Sequence, residues 1–193
     1  MKSVDRGKYI REHFSEQAYF DCPLSIGQSQ TISAPHMHTI ALEELQPVLK
    51  EGSRVLDVGA GSGYLTACLG LMVGDTGKVY GLEILPELVQ FAQQNIQKGN
   101  PSLLEKGIVS LILGNGWEGY PGGSPYDAIH VGAAAESIPA ALMEQLANGG
   151  RMIIPVGRKG QTQQLLKIDK DPSGATKTTQ LLDVVYVPLV KRL

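Results

Sequence analysis

Short apolar runs alternate with segments of helical periodicity through the middle of the chain. Most of the runs are bordered by glycine, asparagine or proline. This pattern is typical of strands that are buried on both faces of a parallel sheet. The predicted strands are residues 55–58, 79–84, 109–113, 128–131 and 152–156.

The segments between these runs have helical patterning. Two of them begin with a proline, Pro86 and Pro139, whose fixed φ suits the first turn of a helix. The predicted helices are residues 65–73, 88–97 and 138–146. Alternating strands and helices indicate right-handed βαβ units, so we expect an α/β fold with a mostly parallel sheet and helices on both faces.

The two ends of the chain depart from this alternation. Residues 163–168 and 180–187 are apolar stretches separated by a turn-rich segment, which predicts a C-terminal antiparallel hairpin. Near the N-terminus, residues 40–49 have helical spacing, and the small and polar residues 25–35 are expected to form a loop.

A glycine-rich turn follows the first predicted strand in the sequence RVLDVGAGSGYLT, residues 54–66. Glycines on alternate positions let the backbone turn sharply and approach a ligand closely. The spacing departs from the dinucleotide pattern G-x-G-x-x-G, because Tyr64 stands where the third glycine is required. Asp57 precedes the turn, and a second acid, Glu83, ends the next strand and suits a ribose diol. With this pair of acids the segment resembles class I S-adenosylmethionine-dependent methyltransferases; a turn without a ligand is the alternative.

Composition limits the classes of protein to which the chain can belong. Its 193 residues predict one domain, and 42% hydrophobic with 19% charged residues is typical of a soluble globular protein. No apolar run is long enough to cross a membrane and no signal sequence is evident, so we expect a cytoplasmic protein. The net charge of −2 and the absence of a basic stripe argue against nucleic-acid binding. Cys68, in an apolar run, is expected to be a small buried hydrophobe.

A dense set of polar residues, QTISAPHMH at positions 30–38, lies directly before a predicted helix. Such a loop can carry function, or Thr31 and Ser33 can simply organise the helix entry. His36 and His38 are two positions apart, but no third ligand at recognisable spacing accompanies them. We therefore predict no metal site.

The chain from residue 25 onward resembles the protein-L-isoaspartate (D-aspartate) O-methyltransferase family. The resemblance rests on six ordered blocks: SIGQSQTISAPHMH at 25–38, LDVGAGSGYLTA at 56–67, GNGWEGY at 114–120, PYDAIHVGAAA at 125–135, GGRMIIPVG at 149–157 and YVPL at 186–189. It implies a Rossmann-like class I fold over residues 1–193 as a single domain, with an N-terminal segment of the family apparently missing. It also implies methyl transfer from S-adenosyl-L-methionine to the carboxylate of isoaspartyl residues in damaged proteins, by an enzyme expected to be a monomer.

Site residues follow from the same resemblance. Ser33 falls on the family's active-site serine, and Val187, in the last predicted strand, would offer its backbone to the substrate peptide. The cofactor-binding positions implied by the resemblance and by the glycine loop are Gln30, Thr31, Ile32, Ser33, His38, Asp57, Gly59, Gly61, Ser62, Gly63, Glu83, Asn115 and Gly116.

The expected chemistry requires no general base, because a carboxylic acid with a pKa of about 4 is already ionised at neutral pH. One departure concerns the adenine contact, where Asn115 replaces the usual aspartate. We expect that restoring the acid would tighten cofactor binding by roughly 0.5 to 1.5 kcal/mol. Two alternatives remain at this stage: a methyltransferase for another small acceptor, and a module that binds cofactor or a partner without turnover.

Overall fold

The computed structural model describes residues 1–191, so residues 192 and 193 of the predicted domain lie outside the described residues. Within this range, strands and helices mostly alternate between residues 54 and 156, and two further strands follow with no helix between them. The strands are β1 (Leu24–Gly27), β2 (Gln30–Ile32), β3 (Arg54–Val58), β4 (Lys78–Glu83), β5 (Val109–Leu113), β6 (Tyr126–Val131), β7 (Leu146–Val156), β8 (Gln163–Lys170) and β9 (Thr176–Val184). The helices are α1 (Pro35–Leu45), α2 (Tyr64–Met72), α3 (Pro86–Gly99), α4 (Ser102–Glu105) and α5 (Ala140–Gln145).

Strands β3 to β9 form one sheet in the order β5-β4-β3-β6-β7-β8-β9. The pairs from β5 to β7 are parallel, and β8 and β9 add an antiparallel hairpin at one edge. The chain moves outward from β3 in one direction through β4 and β5, then returns to the other side of β3 as β6. This reversal of strand order makes the carboxyl ends of β3 and β6 a typical place for a ligand. The predicted α/β fold with a C-terminal hairpin is confirmed.

Successive residues of the central strands face opposite sides of the sheet, as the pleat requires. Val55 packs in a core with residues of α1, α2 and α3, including Leu42, Leu69 and Phe91. Leu56, the next residue, belongs to a second core with Leu142 of α5. Helices therefore cover both faces, which explains why the strands have almost continuous apolar sequences.

The predicted loop over residues 25–35 is wrong in its first half. β1 and β2 form a separate two-stranded antiparallel hairpin, joined at Gln28 and Ser29, which have φ values of 53° and 55°. Two consecutive residues with positive φ are the geometry of a tight hairpin turn. A turn of this kind usually contains Asn-Gly or Gly-Gly, which are absent here. The two strands are also too short to show an alternating pattern, so the sequence does not indicate the hairpin.

The last predicted strand, residues 180–187, is also placed too late. β9 ends at Val184, where its pairing with β8 ends opposite Gln163. Val187 therefore lies beyond the strand, and its carbonyl accepts a hydrogen bond of 2.7 Å from the Ala134 N–H. Among the helices, the predicted 138–146 is shorter than expected, since Leu146 already begins β7 and Pro139 precedes the first helical residue.

Candidate functional site

Loops at the carboxyl ends of four neighbouring strands meet at one edge of the sheet. Gly59 follows β3, Glu83 ends β4, Gly114 follows β5 and Gly132 follows β6. These turns are tied to adjacent strands: the Gly59 N–H donates to Leu82 O at 2.8 Å, and the Gly132 N–H donates to Val58 O at 2.8 Å. They enclose a cavity of about 230 Å³, which we call the loop cavity, bounded by Gly59, Glu83, Gly116 and Leu189 among others.

The glycine loop owes its course to backbone conformations that other residues rarely adopt. Gly63 has a φ of 80° and precedes α2. A Cβ atom there would lie 3.1 Å from the Cβ of Ala92 and 3.1 Å from the Cδ1 of Ile96, so α3 packs directly against this glycine. Gly63 thus positions the loop, whereas Gly59 and Gly61 line the loop cavity.

Glu83 fixes the shape of this cavity. Its Oε2 accepts a hydrogen bond of 3.0 Å from the Gly61 N–H, and its Oε1 accepts from the N–H groups of Ile84 at 2.8 Å and Leu85 at 3.1 Å. Backbone donors satisfy part of the carboxylate's capacity, and the remaining lone pairs face the cavity it lines. A buried anion held in this way suits the hydroxyl groups of a sugar.

A smaller space of about 40 Å³ lies behind the glycine loop, and we call it the inner pocket. Its floor is Asp57, which is 1% exposed. The Asp57 Oδ1 accepts from the His130 Nδ1 at 2.8 Å, and its Oδ2 accepts from the Thr66 Oγ1 at 2.5 Å. Asp57 therefore lies in the inner pocket and not in the loop cavity.

His38 also lines the inner pocket and has an unusual buried nitrogen. Its Nδ1 is inaccessible and makes no hydrogen bond with any described residue. Burial lowers the pKa of His38 from its ordinary value to about 3, and the positive charge of Arg6 lowers it further in the same direction. The imidazole is therefore neutral at physiological pH.

The residues of the two spaces fit S-adenosyl-L-methionine. Glu83 in the loop cavity suits the ribose hydroxyls, while the Asp57 carboxylate and the unpartnered nitrogen of neutral His38 suit the ammonium group of the methionyl end. Ile32 and Ser62 lie against the inner pocket, and Gln30 lies against the loop cavity.

A third and wider space of about 530 Å³ opens on the other side of Ser33, and we call it the outer groove. It is bounded by His36, Met37 and the segment of residues 182–187. Thr31 and Gly132 border all three spaces, Ser33 borders the inner pocket and the groove, and Val187 borders the loop cavity and the groove. The predicted active-site serine thus stands between the inner pocket and the open outer groove.

Ser33 is held in place by a buried arginine. The Arg6 Nη1 donates to the Ser33 carbonyl oxygen at 2.8 Å, while its Nε donates to Ala18 O at 2.9 Å and its Nη2 to Cys22 O at 3.3 Å. Arg6 therefore joins the N-terminal residues to the polar loop before α1.

Asn115 is placed differently from the other predicted cofactor residues. Its Nδ2 donates to the Glu118 Oε1 at 3.0 Å and to Lys191 O at 3.0 Å, and its Oδ1 accepts from the Trp117 N–H at 3.0 Å. The Asn115 side-chain amide thus makes its hydrogen bonds within the protein, while the adjacent Gly116 lines the loop cavity. A Cβ at Gly116 would lie 2.6 Å from the Val58 Cγ1, so only glycine fits there.

Sequence reasoning did not single out Gly132, Arg6 or Leu189. Gly132 could have been found, because it directly follows a predicted strand at the edge where ligands bind. Arg6 gave no such signal, since its partners are carbonyl groups distant in sequence. The Trp117 Nε1 donates a hydrogen bond of 2.9 Å to the Leu189 carbonyl oxygen, and this bond holds Leu189 at the loop cavity.

Within residues 1–191, no group of three or more His, Cys, Asp or Glu side chains is arranged to hold a metal. No helix there has the length and hydrophobicity needed to span a membrane. Cys68 is buried, which raises the pKa of its thiol to about 11, as expected for an inert packing residue.

Comparisons with known proteins agree with this site. The family model of protein-L-isoaspartate(D-aspartate) O-methyltransferase matches residues 1–193. A protein-L-isoaspartate O-methyltransferase of Caenorhabditis elegans is 47% identical over 192 residues, covering 100% of this chain and 83% of that protein. Protein-L-isoaspartate O-methyltransferase 1 of Arabidopsis thaliana is 48% identical over 193 residues, covering 100% and 82% of the two chains.

Among solved structures, a Plasmodium falciparum protein described as a protein-L-isoaspartate O-methyltransferase, in complex with S-adenosyl-L-homocysteine, superposes with a TM-score of 0.89. It is 40% identical, and the match covers 99% of this chain and 88% of that one. Full-length agreement in sequence and fold leaves one assignment: the chain belongs to the protein-L-isoaspartate(D-aspartate) O-methyltransferase family, whose enzymes use S-adenosyl-L-methionine.

Proposed function

We propose that this chain transfers a methyl group from S-adenosyl-L-methionine to the free carboxylate of L-isoaspartyl and D-aspartyl residues in damaged proteins, and that Ser33 positions that carboxylate. Family membership over the full chain supports the reaction. The single structural observation that supports the role of Ser33 is its place at the junction of the inner pocket and the outer groove.

The cofactor, when bound, supplies a methyl group on a positively charged sulfur. The chain's own residues then have to bring an ionised carboxylate to that methyl in the right direction and remove part of its water. The Ser33 hydroxyl can donate one hydrogen bond to the carboxylate, and Gly132, without a side chain, leaves room for the two reactants to meet. Alignment of this kind contributes up to roughly 7 to 11 kcal/mol in well-oriented reactions.

No residue needs to act as a base, because the acceptor carboxyl, with a pKa near 4, is ionised before it binds. The nearest histidine to Ser33 along the groove, His36, is exposed and paired with Asp21 at 2.8 Å. A carboxylate acceptor does not require this histidine to remove a proton, whereas a hydroxyl or amine acceptor would usually require a base.

On the cofactor side we assign the loop cavity and the inner pocket to one molecule of S-adenosyl-L-methionine. Glu83, Gly59, Gly61, Gln30 and Thr31 would hold the adenosine part, with Gly116 against the adenine. The residues of the inner pocket would hold the methionyl part: Ile32, Ser33, His38, Asp57 and Ser62. Gly63 and Asn115 would support the residues that line the site without lining it themselves.

We expect the protein to be a monomer and to work in the cytoplasm.

A paired assay tests the reaction. The full chain is incubated with labelled S-adenosyl-L-methionine and either an isoaspartyl peptide or its normal aspartyl twin. Methyl incorporation into the isoaspartyl peptide alone is expected. Equal labelling of both peptides, or of neither, would rule out the proposed reaction.

Substitution of Ser33 by alanine tests the assigned role. Loss of one positioning hydrogen bond costs about 1 to 3 kcal/mol, so kcat/KM for the isoaspartyl peptide should fall roughly fivefold to 150-fold. Affinity for S-adenosyl-L-homocysteine, measured by calorimetry, should change much less. Ser15→Ala, at an exposed position of a short 3-10 helix and outside the lining of all three spaces, is the matched control. Parental kinetics in Ser33→Ala would leave Ser33 as a helix-entry residue only.

A further inference from the structure

The strand pairing at the acceptor groove stops short of the residues that form the groove wall. β8 and β9 pair in antiparallel register up to Gln163 opposite Val184. Two more residues of regular pairing would bring Gln161 opposite Tyr186. Gln161 instead lies in a turn, where its N–H donates to Arg158 O at 3.2 Å. Tyr186 therefore lacks the backbone partner that a continued strand would supply.

The side chain of Gln163 supplies that partner. Its Oε1 accepts from the Tyr186 N–H at 2.6 Å, and its Nε2 donates to the Tyr186 carbonyl oxygen at 3.4 Å. A primary amide carries the same donor and acceptor as a peptide group, so Gln163 satisfies both backbone groups of one residue. Gln163 is 1% exposed, and in this surrounding its two bonds replace those of water.

The residues fixed in this way belong to the candidate site. Tyr186 and Ser33 both line the outer groove. Val187 follows directly and separates the groove from the loop cavity. Val185, on the other side of Tyr186, is 80% exposed at the groove. The buried amide of Gln163 thus holds the middle residue of a three-residue segment, residues 185–187, that lines the same groove as Ser33.

We propose that Gln163 is a positioning residue for the acceptor: by holding the Tyr186 backbone, it keeps the wall of the outer groove in register with Ser33 and with the cofactor side. Gln163 borders none of the three spaces, so it acts through Tyr186 and not by touching the substrate. The inference rests on the proposed role of Ser33 and adds a residue distant from it in sequence.

The kinetic test compares Gln163→Met with Gln164→Met. Gln164 is the next residue of β8, is exposed, and receives the same change, so it controls for strand propensity and side-chain length. In Gln163→Met the Tyr186 N–H loses its partner, so the groove wall is no longer held in place. We therefore expect kcat/KM for the isoaspartyl peptide to fall about fivefold to 150-fold. It should change less than about twofold in Gln164→Met, where an exposed side chain is replaced.

Cofactor affinity separates positioning from general damage. The wall next to the cofactor is held independently by Ala134, whose N–H and O bond to Val187 and Leu189 at 2.7 and 2.8 Å. Affinity for S-adenosyl-L-homocysteine should therefore stay within about threefold of the parent in both variants by calorimetry. A parallel loss of cofactor affinity and kcat/KM in Gln163→Met would show a structural role only and overturn the proposal, as would kinetics equal to those of Gln164→Met.

Hydrogen exchange on the unmodified chain gives a test that does not depend on a variant folding. The Tyr186 amide should exchange much more slowly than that of its exposed neighbour Val185, and equal rates would overturn the proposal. If the unmodified chain shows no isoaspartyl methylation, the proposed function fails, whereas protection at Tyr186 still reports on the Gln163 contact.

Discussion

At the scale of single residues, Glu83 performs two tasks with one carboxylate. It braces the glycine loop through the Gly61 N–H and faces the loop cavity with its remaining lone pairs. Glu83→Gln keeps the size and one acceptor but loses the charge, and charge-assisted bonds contribute roughly 1.5 to 3 kcal/mol. Affinity for S-adenosyl-L-methionine should fall about tenfold to a hundredfold in calorimetry. Glu87→Gln, exposed on the first turn of α3, is the control; equal affinities would remove Glu83 from the binding site.

Asn115 shows how the structure reverses an expectation based on the family pattern. Its Nδ2 donates to the Glu118 carboxylate and to Lys191 O, both at 3.0 Å. In Asn115→Asp an anion would face two oxygens in place of a donor. Repulsion should release the segment of residues 189–191 that borders the loop cavity.

We therefore expect Asn115→Asp to weaken S-adenosyl-L-homocysteine binding, by about fivefold to tenfold, instead of tightening it. Titration calorimetry at neutral pH measures this directly. The double variant Asn115→Asp with Glu118→Gln should recover part of the lost affinity, because the second carboxylate is gone. Tighter binding in the single variant would contradict this prediction and support the adenine contact that the sequence predicts.

Some site residues could be found from the chain's own pattern because they lie at the ends of strands. Glu83 and the loop glycines could be predicted because strand ends are visible as the borders of apolar runs. Arg6 and Gln163 could not, since each acts on a backbone group 23 or more positions away, and backbone acceptors leave no sequence pattern. Tertiary contacts of this type become visible only in the folded chain.

At the scale of elements, the site depends on how the N-terminal segment packs against the loop between β2 and α1. Arg6 joins three parts of this region through carbonyl groups of Ala18, Cys22 and Ser33. Its guanidinium also lies 5.9 Å from the centroid of the Tyr64 ring, at the start of α2. The N-terminal residues thus form part of the wall that positions Ser33.

Arg6→Met should loosen this docking while keeping an unbranched apolar stem. Three carbonyl groups lose their donor, and we expect the free energy of unfolding to fall by roughly 2 to 4 kcal/mol. The rate of isoaspartyl methylation should fall with it, because Ser33 loses its support. Urea denaturation and peptide kinetics measure both effects. Lys2→Met removes a nearby exposed charge as the control; if both variants unfold alike, Arg6 has no anchoring role.

The elements themselves were predictable to different degrees for a physical reason. Central strands such as β3 and β6 are buried on both faces, so their sequences are nearly all apolar. The hairpin β1–β2 alternates buried and exposed positions over only three or four residues each. So short a pattern is indistinguishable from a polar loop, although it carries Gln30 and Thr31 to the cofactor side.

At the scale of the whole molecule, the fold places a neutral imidazole beside a buried carboxylate and a buried guanidinium. His38, on α1, lines the inner pocket with Asp57 of β3 and His130 of β6. Arg6 opposes a positive charge on His38, and burial opposes it more strongly. Folding therefore requires this histidine to be uncharged, which links global stability to pH.

The sign of that linkage follows from the two pKa values of His38. It is near 6.5 in the unfolded chain and about 3 in the folded one, so below pH 6.5 the unfolded state binds a proton that the folded state does not. Stability should thus be lost as the pH falls, by about 2 kcal/mol for this group between pH 7 and pH 5. Urea denaturation should show that His38→Gln lacks this share of the pH dependence, while His36→Gln, on the exposed surface, retains it. Identical pH dependence in His38→Gln and the parent chain would mean that His38 does not carry the linkage, and that its proton is accommodated by rearrangement of the inner pocket.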